Sequence, residues 1–129
     1  MAEENLRVLV VDDDQHQLEL VERTLRADGI DVKTCSSPIG VTNLIVSFGP
    51  KLVLVDVNIP ALSGDRLIGI SRRWVPPGTL FVLYSANDES RLRHLAREVE
   101  ADGWISKSVT GVDLSKRVRE IVKKPVSAR

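Results

Sequence analysis

Five short apolar runs alternate with amphipathic stretches along this chain of 129 residues. Each run is apolar almost throughout and rich in β-branched residues, which is typical of a strand buried on both faces. Between the runs, apolar residues recur every three or four positions, as they do in helices that cover a sheet. Strict alternation of strand and helix predicts an α/β fold with a doubly wound parallel sheet. The predicted strands are 7–11, about 31–35, 52–56, 80–85 and about 103–106.

The ends of the predicted helices are marked by capping and helix-breaking residues. Asp14 and Gln17 resemble a capping box before the first helix, and Gly29 is placed to end it. Pro38 is placed to open a second helix near 39–47. The other three helices carry the apolar sets Leu67, Ile68 and Ile70, then Leu92, Leu95, Ala96 and Val99, then Leu114, Val118, Ile121 and Val122 over about 112–122.

The composition fits one globular domain. The length leaves little room for a second domain, and 43% apolar residues can bury a single core. We expect one domain over 1–129, with a core at about 6–124 and a frayed tail at 125–129. The chain has no apolar run of about 18 residues, and its acidic start lacks a signal-peptide core. A single cysteine, Cys35, excludes an internal disulfide. Together these features predict a cytoplasmic protein.

Charge is unevenly distributed although the net charge is zero. Residues 1–65 hold 5 Lys/Arg and 11 Asp/Glu, a net of −6, whereas residues 66–129 hold 13 and 7, a net of +6. This asymmetry fits an acidic site together with a basic docking face, and it fits ordinary solvated helices as well. The last helix contributes five of the basic residues, Lys116, Arg117, Arg119, Lys123 and Lys124.

Polar side chains follow four of the predicted strands at the point where each strand ends. Asp12 and Asp13 follow the first strand, Asp56 ends the third, Ser85 ends the fourth, and Lys107 follows the fifth. In open parallel sheets the ligand binds at the carboxyl ends of the strands. Four strands that deliver such groups to one edge are the strongest functional signal in the sequence.

These groups favour phosphate chemistry beside a metal ion. Three converging carboxylates repel one another, and a divalent cation removes that repulsion. Mg²⁺ suits the set because it accepts a few carboxylates and prefers a phosphate oxygen as a further ligand. A carboxylate can attack phosphorus to give an aspartyl phosphate. Lys107 would add positive charge, and the Ser85 hydroxyl and the Ala86 amide could donate to phosphoryl oxygens.

The sequence resembles the receiver domain of bacterial two-component response regulators. The resemblance covers residues 6 to about 124 and implies a five-stranded sheet of flavodoxin-like order 2-1-3-4-5 with five helices. Its motifs occur in the expected order at the ends of the predicted strands. The segments that carry it are 8–14, 52–60 with Gly64, 83–86 and 103–107.

The resemblance implies a role for each residue at the strand ends. Asp56 matches the phosphoacceptor, and Asp13 and Asp56 match the direct Mg²⁺ ligands. Asp12 matches a residue that contacts the metal mainly through water. Asn58 matches the position whose backbone carbonyl binds the metal. Ser85 matches the hydroxyl that moves on switching, and Lys107 matches the lysine that binds the phosphate. Trp104 matches the aromatic residue that accompanies the switch.

The same resemblance implies partners and a mode of action. The phosphoryl donor would be a sensor histidine kinase or a phosphotransfer protein, and the signal would pass to a downstream protein target. The fourth helix, fifth strand and fifth helix would change conformation. The chain would be a regulatory domain rather than an enzyme, although able to catalyse its own phosphorylation and dephosphorylation. Neither membrane binding nor direct nucleic-acid binding is expected.

One departure and two alternatives bear on this interpretation. Ser108 follows Lys107 where the family usually has proline, and a cis peptide without proline costs about 2.5–4 kcal/mol. We therefore predict a trans peptide there. Ser108 also leaves room for a pseudo-receiver, a protein-binding module that takes no phosphate. A phosphatase of the haloacid-dehalogenase type would need a second aspartate two residues after Asp56, where this chain has Asn58.

Several residues have simpler interpretations. We read Asp14 as a helix cap rather than a metal ligand, and His16 and His94 as surface residues. We interpret Cys35 as a small buried residue near a strand end. We interpret Trp74 as a packing residue that covers the end of the third helix. Asn58 and Asn87 each lie two residues beyond a site residue, where they could contact an attacking water.

Overall fold

The computed structural model describes residues 5–57, 64–86 and 88–124, apart from the side chains of 64, 65 and 70. Strands and helices alternate along the whole of this part, as the sequence predicts. In chain order the elements are β1 (Arg7–Val11), α1 (Gln15–Ala27), β2 (Asp31–Cys35), α2 (Val41–Phe48), β3 (Leu52–Asp56), α3 (Gly64–Ser71), β4 (Leu80–Ser85), α4 (Glu89–Glu98), β5 (Gly103–Ser106) and α5 (Val112–Lys123).

The five strands form one parallel sheet of order β2-β1-β3-β4-β5. This confirms the doubly wound fold and the predicted strand order. β1 and β3 are neighbours, and Val11 lies opposite Val55 in their register. β4 lies beside β3, and Asp56 is opposite Tyr84. The ends of β1, β3 and β4 therefore meet at one edge of the sheet, with β5 at its side.

The core consists of two apolar layers, one on each face of the sheet. Side chains alternate along β1, so Val8 and Val10 pack towards α1 and α5, while Leu9 and Val11 pack towards α2, α3 and α4. All residues of β3 and β4 are buried, as expected for central strands covered on both faces. Each buried Val or Leu contributes about 1.5–3 kcal/mol relative to an exposed one.

The ends of α1 agree with the sequence in two respects and differ in one. The Asp14 carboxylate accepts hydrogen bonds from the amides of His16 (3.0 Å) and Gln17 (3.3 Å), which confirms the predicted cap. At the other end of α1, Gly29 has a left-handed φ of 81°. The amides of Gly29 and Ile30 donate to carbonyls in the last turn of the helix. The predicted capping box is incomplete, because the Asp14 backbone amide donates to Oδ1 of Asp12 (3.0 Å) rather than to Gln17. The side-chain Nε2 of Gln17 donates to the Tyr84 hydroxyl (2.9 Å).

α2 begins at Val41, two residues later than predicted. Gly40 has a left-handed φ of 86°, which a helix cannot include, and the amide of Ile39 donates to the Ser37 hydroxyl. The prediction that Trp74 is a packing residue is wrong, because Trp74 is 69% exposed. Among the described helices, none combines the length and apolar character needed to cross a membrane.

A buried carboxylate links α3 to the edge of the sheet. Asp102 precedes β5 and is almost fully buried. Its Oδ2 accepts hydrogen bonds from the Phe81 amide (2.9 Å) and from Nη2 of Arg72 (3.2 Å), which follows α3. Arg72 also donates to the carbonyl of Glu100 (2.9 Å). This arrangement ties the start of β5 to β4, so that the edge strand has a defined position beside the site.

Candidate functional site

Three carboxylates converge at the edge where β1 and β3 end. Asp12 and Asp13 follow β1, Asp56 is the last residue of β3, and one oxygen from each lies within 4.8 Å of the other two. Asp12 is 0% exposed and Asp56 5%, whereas Asp13 is exposed to solvent. Two buried carboxylates and one open to solvent, all oxygen donors, form a set able to hold a divalent cation.

The carboxylate of Asp12 is held by groups on both sides. Its Oδ1 accepts a hydrogen bond from the Asp14 amide (3.0 Å), and its Oδ2 accepts one from Nζ of Lys107 (2.8 Å). Its own amide donates to the carbonyl of Cys35 at the end of β2 (3.1 Å). A buried charge is tolerated only when it is paired and hydrogen-bonded, and Asp12 meets both conditions.

Lys107 reaches into the acidic cluster from the loop after β5. Its amide donates to the carbonyl of Ser85 (2.8 Å), which joins the loop to the end of β4. Its ammonium nitrogen lies 2.8 Å from Asp12 and 3.6 Å from Asp56. Partial burial lowers the pKa of Lys107, but the hydrogen bond with Asp12 and the charge of Asp56 outweigh it and raise the pKa above its ordinary value. The lysine is therefore a cation at neutral pH.

The loop after β5 has the predicted trans geometry, and no peptide bond within the described residues is cis. Two serines shape this loop in place of a proline. The Ser106 and Ser108 hydroxyls are hydrogen-bonded to each other (2.8 Å), and the Ser108 amide donates to the Ser106 hydroxyl (3.2 Å). The trans loop thus still carries Lys107 to the carboxylates.

Three other predicted site residues lie on or directly after β4 and β5. Ser85 is fully buried and lies opposite Ser106, while Ala86 is exposed directly after the strand. Asn58 and Asn87 fall outside the described residues. Trp104 is half-buried on β5, and its ring lies 5.8 Å from the guanidinium carbon of Arg93 on α4 and 5.6 Å from that of Arg117 on α5.

Two residues beside the site were missed by the sequence analysis. The sequence predicts Tyr84 only as part of the strand at 80–85, and it predicts Gln17 only as part of a helix cap. In the structure Gln17 donates to the Tyr84 hydroxyl, and the Tyr84 ring lies 5.5 Å from Nζ of Lys107. The available signal was a single phenol in an otherwise apolar strand, immediately before Ser85.

The remaining candidates have ordinary surroundings. His16 and His94 are exposed, as predicted, and His94 lies 3.5 Å from Glu98 on the same helix. The Cys35 thiol is half-buried and donates to the carbonyl of Ser37 (2.9 Å). On the basic helix α5, Arg119 donates to the side chain and carbonyl of Asp28 (2.7 Å each), so part of that charge serves the fold.

Comparison with known proteins identifies the family of this chain. A family model described as the response regulator receiver domain matches residues 8–119. The transcriptional regulatory protein PrrA of Mycobacterium leprae is 30% identical over 121 residues, which cover 92% of this chain and 50% of PrrA. The transcriptional regulatory protein KdpE of Mycobacterium tuberculosis is 26% identical over 121 residues, with 94% and 53% covered. The chain thus spans about half the length of these two relatives.

Solved structures of receiver domains have the same fold as this chain. The signal receiver domain of NarL from Mycobacterium tuberculosis has a TM-score of 0.81 and 27% identity, covering 95% of this chain and 99% of that one. A receiver domain protein of Methanospirillum hungatei has a TM-score of 0.82, with 94% and 96% covered. Its identity of 22% makes it a likeness of fold alone.

Proposed function

This chain belongs to the response regulator receiver domain family, whose general function is a phosphorylation-dependent switch, and from that premise we propose that Asp56 is its phosphoacceptor. One observation carries the proposal. Asp56 ends a fully buried central strand with two other carboxylates within 4.8 Å and the Lys107 ammonium at 3.6 Å. A nucleophile, a metal-binding set and a fixed cation thus meet at one point.

The donor set supports Mg²⁺ as the metal. In this proposal Asp13 and Asp56 would bind it directly, Asp12 would act through water, and Asn58, outside the described residues, would offer its backbone carbonyl. When bound, Mg²⁺ would neutralise the carboxylates and the phosphoryl oxygens, which is the chemistry that phosphoryl transfer requires. The exposed Asp13 leaves one side of the set open to solvent, as a metal that retains waters needs.

The chain's own residues would hold the reacting group in line. A carboxylate oxygen of Asp56 forms a bond to phosphorus while the bond from phosphorus to the donor's leaving group breaks. The Lys107 ammonium is near enough to bind a phosphoryl oxygen on Asp56. The Ser85 hydroxyl and the Ala86 amide, at the end of the neighbouring strand β4, would donate to the other oxygens.

The partners and setting follow from the family. We propose a sensor histidine kinase or a phosphotransfer protein as the phosphoryl donor, a downstream protein as the target, and a cytoplasmic location. PrrA and KdpE are transcriptional regulatory proteins of which the matched region is about half. For the region described here we propose protein partners rather than nucleic acid, and a regulatory rather than an enzymatic role.

Acetyl phosphate with Mg²⁺ tests the proposal directly. Intact-mass spectrometry should show one added phosphoryl group that hydroxylamine removes, as an acyl phosphate requires. Asp56→Asn should lose the adduct, while Asp113→Asn, an exposed change on α5, should keep it. The same adduct on Asp56→Asn would assign the phosphoryl group to another residue.

Ser108 is the observation that keeps a second function open. A pseudo-receiver would bind its partner without taking phosphate, and this chain lacks the proline that usually follows the lysine. Beryllofluoride, which mimics a phosphoryl group on the aspartate, separates the two functions. Saturable binding that needs Mg²⁺ and Asp56 supports the switch, whereas no binding by a folded protein supports the pseudo-receiver.

A further inference from the structure

We infer that Gln17 and Tyr84 are positioning residues that aim the Lys107 ammonium at the carboxylates. The inference rests on the proposed function, in which Lys107 binds the phosphoryl group on Asp56. The observation behind it is a chain of contacts from α1 through β4 to the loop after β5. Gln17 donates to the Tyr84 hydroxyl at 2.9 Å, and the Tyr84 ring centroid lies 5.5 Å from Nζ of Lys107.

The backbone of Lys107 does not determine where its side chain points, and the contacts with Asp12 and Asp56 involve its ammonium group. The amide of Lys107 is anchored to the carbonyl of Ser85, and the peptide before Ser108 is trans. Beyond Cβ the side chain has several rotatable bonds, and a free lysine loses considerable rotamer entropy when it is held in one position. An aromatic face within about 6 Å of an ammonium attracts it and restricts these rotamers.

Tyr84 is closely packed, so its ring can restrict where the lysine side chain lies. Its side chain is 1% exposed and is among the largest fully buried side chains of the chain. The hydroxyl cannot rotate away, because Gln17 on α1 holds it at 2.9 Å. A buried phenol normally needs such a partner. The hydrogen bond holds the hydroxyl oxygen at the end of the ring, and close packing around the buried ring restrains its plane.

Packing alone would not require this arrangement. The strand residues before Tyr84 are Leu80, Phe81, Val82 and Leu83, all apolar and buried, and a phenylalanine would continue that series. The hydroxyl adds a polar group at the end of the strand nearest the carboxylates. Its partner is a half-buried glutamine, one turn beyond the residues that follow β1. Both groups thus lie where they can affect the site.

Three variants separate positioning from packing. Tyr84→Phe removes the hydroxyl and keeps the ring, and Gln17→Leu removes the other partner of the same hydrogen bond. Gln15→Leu makes the matched change at an exposed residue of the same helix. With acetyl phosphate and Mg²⁺, Tyr84→Phe and Gln17→Leu should each lower the maximal phosphorylation rate roughly three- to tenfold. The acetyl phosphate concentration that gives half the maximal rate should change little. Gln15→Leu should match the wild type.

The double variant supplies a sharper test. Both changes remove one hydrogen bond, so Tyr84→Phe with Gln17→Leu should be no slower than the slower single variant. Two independent packing defects would instead multiply their effects on the rate, and that result overturns the inference. Urea unfolding of each variant, measured in parallel, identifies any loss of rate that merely follows loss of folded protein.

A spectroscopic readout in metal-free protein distinguishes this inference from the proposed function. The Tyr84 ring should displace the NMR signals of the Lys107 methylene protons next to Nζ. Tyr84→Leu should abolish that displacement, and Gln17→Leu should reduce it. Signals that do not change in either variant overturn the inference, even if Asp56 is phosphorylated. If the wild type shows the ring effect but takes no phosphoryl group, the proposed function fails while the contact stands.

Discussion

The ammonium nitrogen of Lys107 lies closer to Asp12, at 2.8 Å, than to Asp56, at 3.6 Å. Asp12 is fully buried, so the lysine supplies positive charge to the acidic cluster, as a bound metal ion also would. The metal-free fold therefore depends on Lys107 as a counter-ion, besides any role of this residue in binding phosphate.

We expect Lys107→Ala to destabilise the metal-free protein by ~2–3 kcal/mol. This is less than the 3–5 kcal/mol typical of a broken buried pair, because the lysine side chain is 20% exposed. Mg²⁺ should restore more stability to the variant than it adds to the wild type, since it replaces the lost charge. Urea unfolding with and without Mg²⁺ measures both effects. Lys116→Ala, an exposed change on α5, serves as control. An equal gain from Mg²⁺ in all three proteins would contradict the counter-ion role.

Asp13 is the exposed member of the acidic cluster, so its removal should affect metal binding far more than folding. We expect Asp13→Asn to weaken Mg²⁺ binding by more than about tenfold, as loss of a charged ligand should. Titration calorimetry measures the affinity. Asp14→Asn is a matched control, because it removes the same charge one residue away and asparagine caps a helix as well as aspartate. An equal loss of Mg²⁺ affinity in both variants would mean that Asp13 contributes only negative charge and is not a metal ligand.

Tyr84 is the only tyrosine in the chain, so its titration can be followed by tyrosinate absorbance. Burial raises the pKa of the Tyr84 phenol above its ordinary value of 10.0, although the Gln17 hydrogen bond and the Lys107 charge act to lower this pKa. We expect Gln17→Leu to raise this pKa further. Because the folded phenol holds its proton longer than the unfolded one, stability should fall as pH rises from about 10 through the folded pKa. A folded pKa at or below that of the urea-unfolded chain would contradict this.

Trp104 should become more buried when Asp56 carries a phosphoryl group or beryllofluoride with Mg²⁺. It is now half-buried between Arg93 and Arg117, so an inward turn would exchange two cation–π contacts for apolar packing. The exposed Trp74 must first become Phe, since its emission would mask the change. Trp104 emission and quencher access then report the turn, and Asp56→Asn is the control. An unchanged spectrum on saturation would identify Trp104 as a packing residue.

The sequence predicted the sheet well because buried strands and capped helices leave local patterns. β1 is a mostly apolar run followed by two aspartates, and β3 is an apolar run that ends in one, so the burial of both strands and the acidic cluster could be predicted. The order of the strands was implied by the family resemblance. The bond between Gln17 and Tyr84 joins residues 67 apart along the chain, and no local pattern records such a contact. Trp74 was misassigned for a related reason, since burial of an aromatic residue depends on neighbours that its own segment does not show.

The position of Asp56 predicts which substitutions in this chain should affect folding and which should affect the response. It ends β3, the middle strand of the sheet, all of whose residues are buried between two helix layers. β5 lies at the margin and pairs with β4 alone. Substitutions within β3 should therefore lower the amount of folded protein, whereas a substitution of Trp104, the one residue of β5 that is only half-buried, should change the response while the amount of folded protein stays the same. Evolution could then alter how such a chain signals to its target without disturbing the fold around the phosphorylated aspartate.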